Sequence, residues 1–223
     1  MLPAGLLTSM KITKIEVQKK HPHRRSIFLD GEFFKGVDEG VVVRLGLKKD
    51  QDIDEKRIHE ILLSEEKRKA KDYGLNLLSF RGRSIGEMRQ RLEERGFEEE
   101  IVGSVVKELK KMEFLDDLKF AREWVRSRME GSPKGSYGLR LELQEKKVSD
   151  VIIHVVLEEY SEKYDEREVA RTLAMKRMRV LANKERGVIQ GRLADFLTRR
   201  GFSYNVIKDV VHEFSHGMPK ENG

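Results

Sequence analysis

Along the C-terminal two thirds of this chain, apolar residues recur at helical spacing, and the same spacing occurs three times. With Phe97, Val148 and Phe202 as anchors, Ile101, Ile152 and Val206 follow four residues on. Val105, Val156 and Val210 come at eight, and Leu109, Tyr160 and Phe214 at twelve. Leu92, Leu143 and Leu197 precede the anchors by five, and Met88, Leu139 and Leu193 by nine. That period predicts two amphipathic helices flanking a short turn in each copy. Gly96 and Gly201 stand just before their anchors, where a left-handed residue ends the first helix of the pair. Lys147 holds that place in the middle copy, which predicts a different turn there. A further helix precedes each pair: Tyr73 and Leu77 match Phe120 and Trp124, then Val169 and Leu173. Asp116 and Asp165 are placed to cap the latter two helices, and Ser84-Ile85-Gly86-Glu87 has the form of a capping box. A three-helix unit of this size cannot bury a core alone, whereas two or three side by side bury a continuous one.

The first fifty residues follow a different rhythm. Ile12, Ile15 and Val17 predict a short strand, His21-Pro22-His23 an interruption in a turn, and Ser26 to Leu29 a second strand. Asp30-Gly31 is a hairpin signal before Glu32-Phe33-Phe34. Val37 to Leu47 predicts a short helix ending near Gly46, and helical spacing resumes from Asp54 with Ile58, Ile61 and Leu62. The fold expected is mainly α: tandem three-helix repeats in an elongated curved stack, with a small N-terminal β-rich segment. Residues 1–9 are expected to be an extension, with Met10 a candidate start. The β segment would occupy 10–53, a linker helix with the first repeat 54–116, the second repeat 117–164 and the third 165–216. Residues 217–223 would form a flexible tail.

Composition narrows the function classes. With no cysteine in 223 residues, disulfides, thiolate metal sites and cysteine nucleophiles are excluded, and a reducing cytosol is a consistent setting. No apolar run approaches the ~20 residues of a membrane span, and Met1 to Met10 lacks the pattern of a signal peptide. The net charge of +6 is unevenly placed. From Arg171 to Arg200 nine Lys or Arg face only Glu185 and Asp195. Such concentration favours a polyanion or an acidic protein surface as partner, against the plainer reading of a solvated helix face. The glycines form no phosphate-binding loop. His212-Glu213-Phe214-Ser215-His216 fits the His-Glu-x-x-His zinc pattern, yet Phe214 is a repeat core position and Gly217 with Pro219 ends the helix. No catalytic residue, cofactor or metal site is expected. Trp124, a possible base-stacking platform, falls on the apolar stripe and is expected in the core.

The stretch Ser84-Ile85-Gly86-Glu87-Met88-Arg89-Gln90-Arg91-Leu92-Glu93-Glu94-Arg95-Gly96-Phe97 resembles the first-repeat signature of RecX proteins. So does Phe114-Leu115-Asp116-Asp117-Leu118-Lys119-Phe120-Ala121-Arg122 with Trp124-Val125-Arg126. Lys11 to Val17 with Leu29-Asp30-Gly31-Glu32 is similar to extended forms carrying an N-terminal segment. The resemblance spans Met10 to about His216 and departs at Lys147-Val148, where the Gly-Phe pair is lost. It implies a monomeric, cytoplasmic, non-enzymatic regulator of homologous recombination and the damage response. Such proteins bind RecA-type recombinase filaments on DNA and commonly inhibit ATPase and strand exchange, or promote filament disassembly.

The basic residues are the candidates for that contact. In the second repeat they are Arg122, Arg126, Arg128, Lys134, Arg140, Lys146 and Lys147. In the third they are Arg171, Lys176, Arg177, Arg179, Arg199 and Arg200. In the first repeat Arg81, Arg83, Arg89, Arg91 and Arg95 alternate with glutamates and read as a mixed, solvated surface. Lys19, Lys20, Arg24 and Arg25 of the β segment are expected to add affinity. Two alternatives stay open on residues alone: a general nucleic-acid-binding repeat protein, and a scaffold for some other protein.

Overall fold

A computed structural model describes residues 9–19, 21–181 and 185–216. The expected extension at 1–9, apart from Ser9, and the expected tail at 217–223 lie outside the described residues. Strands β1 (Met10–Gln18), β2 (His21–Leu29), β3 (Glu32–Asp38) and β4 (Asp52–Ile53) form one antiparallel sheet in the order β3-β2-β1-β4. Asp30 and Gly31 both take positive φ, 49° and 93°, as the two-residue hairpin turn requires. His21-Pro22-His23 opens β2 instead of breaking it. Pro22 lies beyond the β2–β3 pairing, which begins at Arg24, and beside the irregularity at Val17 and Gln18 of β1. Its missing N–H therefore costs no ladder bond. Helix α1 (Glu39–Arg44) is shorter than the predicted 37–47: Val37 completes β3, Asp38 caps the helix at the Gly40 N–H, and Gly46 at φ 59° closes it.

Of the described residues, those up to Phe80 together with Arg89–Leu109 form one compact unit. Arg81–Met88 and the residues from Lys110 onward form a second. In the first unit, α2 (Glu55–Phe80) carries the expected linker helix and the first helix of the first repeat without a break. Its Ile61 is fully buried in the core of the sheet with Ile12, Ile27, Val37 and Ile53, and Ile58 packs against them. One turn on, Glu65 is 1% exposed yet satisfied. Its carboxylate accepts from the Asp38 N–H at 2.6 Å and from Arg24 at 3.1 Å, and Arg68 pairs with it at 3.2 Å. A buried carboxylate needs such partners. Linker and first repeat helix are thus one element, anchored in the sheet.

The repeats emerge as α3 (Ile85–Glu94) with α4 (Glu99–Lys111), α6 (Ser136–Glu145) with α7 (Asp150–Lys163), and α9 (Arg186–Arg199) with α10 (Tyr204–His216). Helices α2, α5 (Asp117–Gly131) and α8 (Glu166–Leu181) precede the pairs. Asp116 accepts from the Leu118 and Lys119 N–H groups, and Asp165 from those of Arg167 and Glu168, as N-caps. The positions five and nine before each anchor are all buried, as are Ile101, Val105, Val148, Val156 and Val210. Phe97, Ile152 and Val206 are half-buried.

All three inter-helix turns have one geometry, including the one expected to differ. Lys147 takes φ 57°, matching Gly96 at 89° and Gly201 at 74°. In each, the residue after the left-handed position donates to the carbonyl five residues back: Phe97 to Leu92, Val148 to Leu143, Phe202 to Leu197. This is the Schellman pattern, formed by a lysine in the middle copy. Gly86 packs closely on this turn: a Cβ on Gly86 would meet the Lys147 Cβ and lie 2.7 Å from the Lys147 carbonyl oxygen. The third turn meets the second repeat in the same way. Gly135 donates to the Arg200 carbonyl at 3.0 Å and Gly138 to that of Gly201 at 3.2 Å. The capping box at Ser84 is half formed: Ser84 Oγ accepts from the Glu87 N–H, but donates to the Lys146 carbonyl. The Glu87 carboxylate turns to Arg81 and Lys146.

Candidate interaction surface

Most of the basic residues expected to reach a partner are held by the protein itself. In the second repeat, Glu142 of α6 accepts from Trp124 Nε1 at 2.8 Å, and pairs with Arg128 at 2.7 Å and Lys134 at 2.6 Å. Burial pushes the Glu142 carboxyl up, but hydrogen bonds from Lys134, Arg128 and Trp124 outweigh it and hold it below the ordinary carboxylate range. Glu87 repeats this balance, its burial outweighed by Arg81 and Lys146. The Trp124 ring is half-buried against the second-repeat core, with Arg128, a partner of Glu142, 4.5 Å and Lys146, a partner of Glu87, 5.0 Å from its centroid. Its face is occupied by two cations, which leaves it a poor platform for a base.

A second arrangement recurs in every repeat and was not singled out in the sequence. Eleven residues after each anchor stands a glutamate: Glu108, Glu159 and Glu213. Each takes a cation from the first helix of its repeat, namely Lys71, Arg122 at 2.6 Å and Arg171 at 2.6 Å. Arg122 holds the Glu159 carboxyl below its usual range. The signal was present, since position eleven is acidic in all three copies, but a search for apolar matches passes over it. Glu213 is thereby the partner of Arg171, and Phe214 packs against the third core. The described part of the His-Glu-x-x-His string thus serves the repeat. Among the described residues no group of His, Asp or Glu is placed to hold a metal ion.

In the third repeat, Arg177 and Arg200 lie 5.6 Å and 5.2 Å from the Phe196 ring centroid. Arg200 also donates to Ser132 Oγ and the Pro133 carbonyl, tying the third repeat to the second. Arg24 and Arg25 of the β segment serve Glu65 and Glu39. The candidates that no hydrogen bond, ion pair or ring contact to a described residue occupies are Lys19, Arg126, Arg140, Lys147, Lys176, Arg179 and Arg199, and Lys20 lies outside the described residues. Lys176 and Arg179 are exposed one turn apart on α8, and Arg199 is exposed at the end of α9.

The family matches follow the same architecture. Residues 10–54 match the regulatory protein RecX N-terminal domain. Residues 70–109, 116–157 and 165–211 match the first, second and third three-helix domains of RecX. The chain belongs to the RecX family. The regulatory protein RecX of Leuconostoc mesenteroides is 31% identical over 201 residues, 90% of this chain and 74% of that one. That of Listeria welshimeri is 33% identical over 209 residues, 94% and 77%. A crystal structure of regulatory protein RecX aligns with TM-score 0.72 and 31% identity over 90% of this chain and 99% of its own. RecX from Lactobacillus salivarius aligns with TM-score 0.58 and 26% identity over 68% and 97%. These relatives are named as regulatory proteins, and among the described residues no helix is long and apolar enough to cross a membrane.

Proposed function

We propose that this RecX-family chain is a non-enzymatic, cytoplasmic regulator that binds RecA-type recombinase filaments on DNA as a monomer and restrains their ATPase and strand exchange. The observation that carries this reading is the match of four consecutive RecX domains from residue 10 to residue 211. The uncommitted cations support it further. A filament presents DNA phosphates and acidic side chains in a regular array, and free Lys and Arg on successive repeats suit such a target. Lys176, Arg179 and Arg199 are the contact residues proposed in the third repeat, and Arg126, Arg140 and Lys147 in the second. The remaining candidates act indirectly, by holding the repeats in shape.

The direct test is binding of fluorescein-labelled protein, followed by anisotropy, to three targets: recombinase filaments on single-stranded DNA, the same DNA alone, and recombinase alone. Tightest binding to the filament is expected. Equal binding to bare DNA would favour the general nucleic-acid reading, and binding to none of the three would favour the scaffold.

A further inference from the structure

Between α5 and α7 of the second repeat lies a hollow of about 260 Å³. Its floor is apolar, formed by Val125, Val156 and Tyr160, and three cations, Arg122, Arg126 and Lys163, stand at its edge. We propose that this hollow is a peptide-docking site, taking one large apolar side chain whose neighbour in the peptide is an aspartate or glutamate.

Size is the first constraint. Sites for whole small molecules and cofactors run from about 300 to 1,000 Å³, so this volume suits one anchoring side chain better than a nucleotide. Apolar anchors seated in small hollows are what carry binding energy at protein interfaces. Charge is the second. Glu159 already engages Arg122, whereas Arg126 has no described partner and Lys163 only the Tyr164 ring, 5.4 Å from its ammonium. Two cations are thus available to a carboxylate beside the anchor. The lining also contains Glu123 and Glu159. These two carboxylates oppose a phosphodiester, charged at every nucleotide, more than a peptide with a single carboxylate, and they can accept the N–H groups of a peptide backbone. Stacking is the third. Tyr164 already has the Tyr160 ring 5.4 Å away as well as the Lys163 ammonium, which leaves little aromatic face for a base. Together these features select a protein segment over a nucleic acid. The inference shares Arg126 with the proposed filament contact, but its readout is peptide binding to the free protein, so filament regulation can hold or fail without it.

The test is a titration of the ¹⁵N-labelled full chain with the peptide acetyl-Gly-Phe-Asp-Gly-amide, followed by amide chemical shifts. Saturable shifts are expected at Val125, Val156 and Tyr164, with a Kd on the order of 1 mM, as befits one anchor. Acetyl-Gly-Ala-Asp-Gly-amide should bind roughly tenfold more weakly, having lost most of the buried apolar surface. The double variant R126A/K163A should keep its spectral dispersion and bind the first peptide about fivefold more weakly. The proposal fails if no saturable shift appears at those amides up to about 10 mM peptide, ten times the expected Kd. It fails equally if the two peptides or the two proteins behave alike. Displacement of the peptide from these amides by a twelve-residue oligothymidylate would assign the hollow to nucleic acid instead.

Discussion

Lys147 holds a backbone conformation that costs a residue with a Cβ about 1–2 kcal/mol. It keeps the Schellman turn that glycine forms at the two equivalent places. Replacing it with glycine, K147G, should therefore raise stability by about 1 kcal/mol, the strain relieved less the added freedom of the unfolded chain. Urea unfolding measures this, and an unchanged or lower midpoint would show that the lysine is unstrained. The opposite is expected at Gly138, where a Cβ would lie 2.6 Å from the Arg200 carbonyl oxygen. G138A should loosen the third repeat, seen as faster amide hydrogen exchange in α9 and α10 than in the sheet. Glu142 adds a dependence on pH. Its folded-state carboxyl titrates below the ordinary value, so the stability it confers is complete above that value, near 4.5, and is lost as pH falls through the lower, folded one. Thermal melts from pH 7 to pH 3 should show a smaller acid loss in E142Q than in wild type. An identical acid loss would mean that its three hydrogen bonds contribute nothing to folding.

At the scale of elements, the buried stripe was legible because period and repeat coincide: a position apolar in three copies is almost forced into a core. V156D should cost about 3–5 kcal/mol, since the residue is 2% exposed and the carboxylate would have no partner. What stayed hidden was contact between elements distant in sequence. Nothing local in Asp54 to Glu66 announces that Ile61 belongs to the core of the sheet or that Glu65 receives Arg24 and the Asp38 N–H. A chain starting at Asp54 would expose Ile58 and Ile61 and leave Glu65 with Arg68 alone. Such a truncation is expected to lose helicity at the start of α2 and to associate through the bared apolar face. Full helicity and a monomeric elution profile would contradict that. The same blindness affected the basic residues. A sequence shows that Arg122, Arg128, Lys134 and Arg171 are cationic, but not that Glu159, Glu142 and Glu213 consume them. Among the second- and third-repeat candidates, Arg126, Arg140, Lys147, Lys176, Arg179 and Arg199 kept both the expected charge and the expected freedom.

For the whole molecule, the repeats combine held cations that maintain shape with a smaller free set available to a partner. Arg177 marks the division. Its Nε is buried without a hydrogen-bond partner and its guanidinium lies against Phe196, so replacing it would disturb packing as well as charge. Lys176, Arg179 and Arg199 are free of that complication and are the cleaner test of the proposed filament contact. The decisive measurement is ATP hydrolysis by recombinase on single-stranded DNA, titrated with wild type and with K176A/R179A/R199A across a range of salt concentrations. Surface changes of this kind shift stability by less than about 0.5 kcal/mol each, so circular dichroism should show both proteins folded. Inhibition by wild type is expected, weakening with salt by roughly 0.7 log units per log unit for each single-strand phosphate contacted, and a markedly higher concentration of the variant should be needed. Equal inhibition by two folded proteins would remove these three residues from the contact, and no inhibition by wild type at any salt concentration would contradict filament regulation itself.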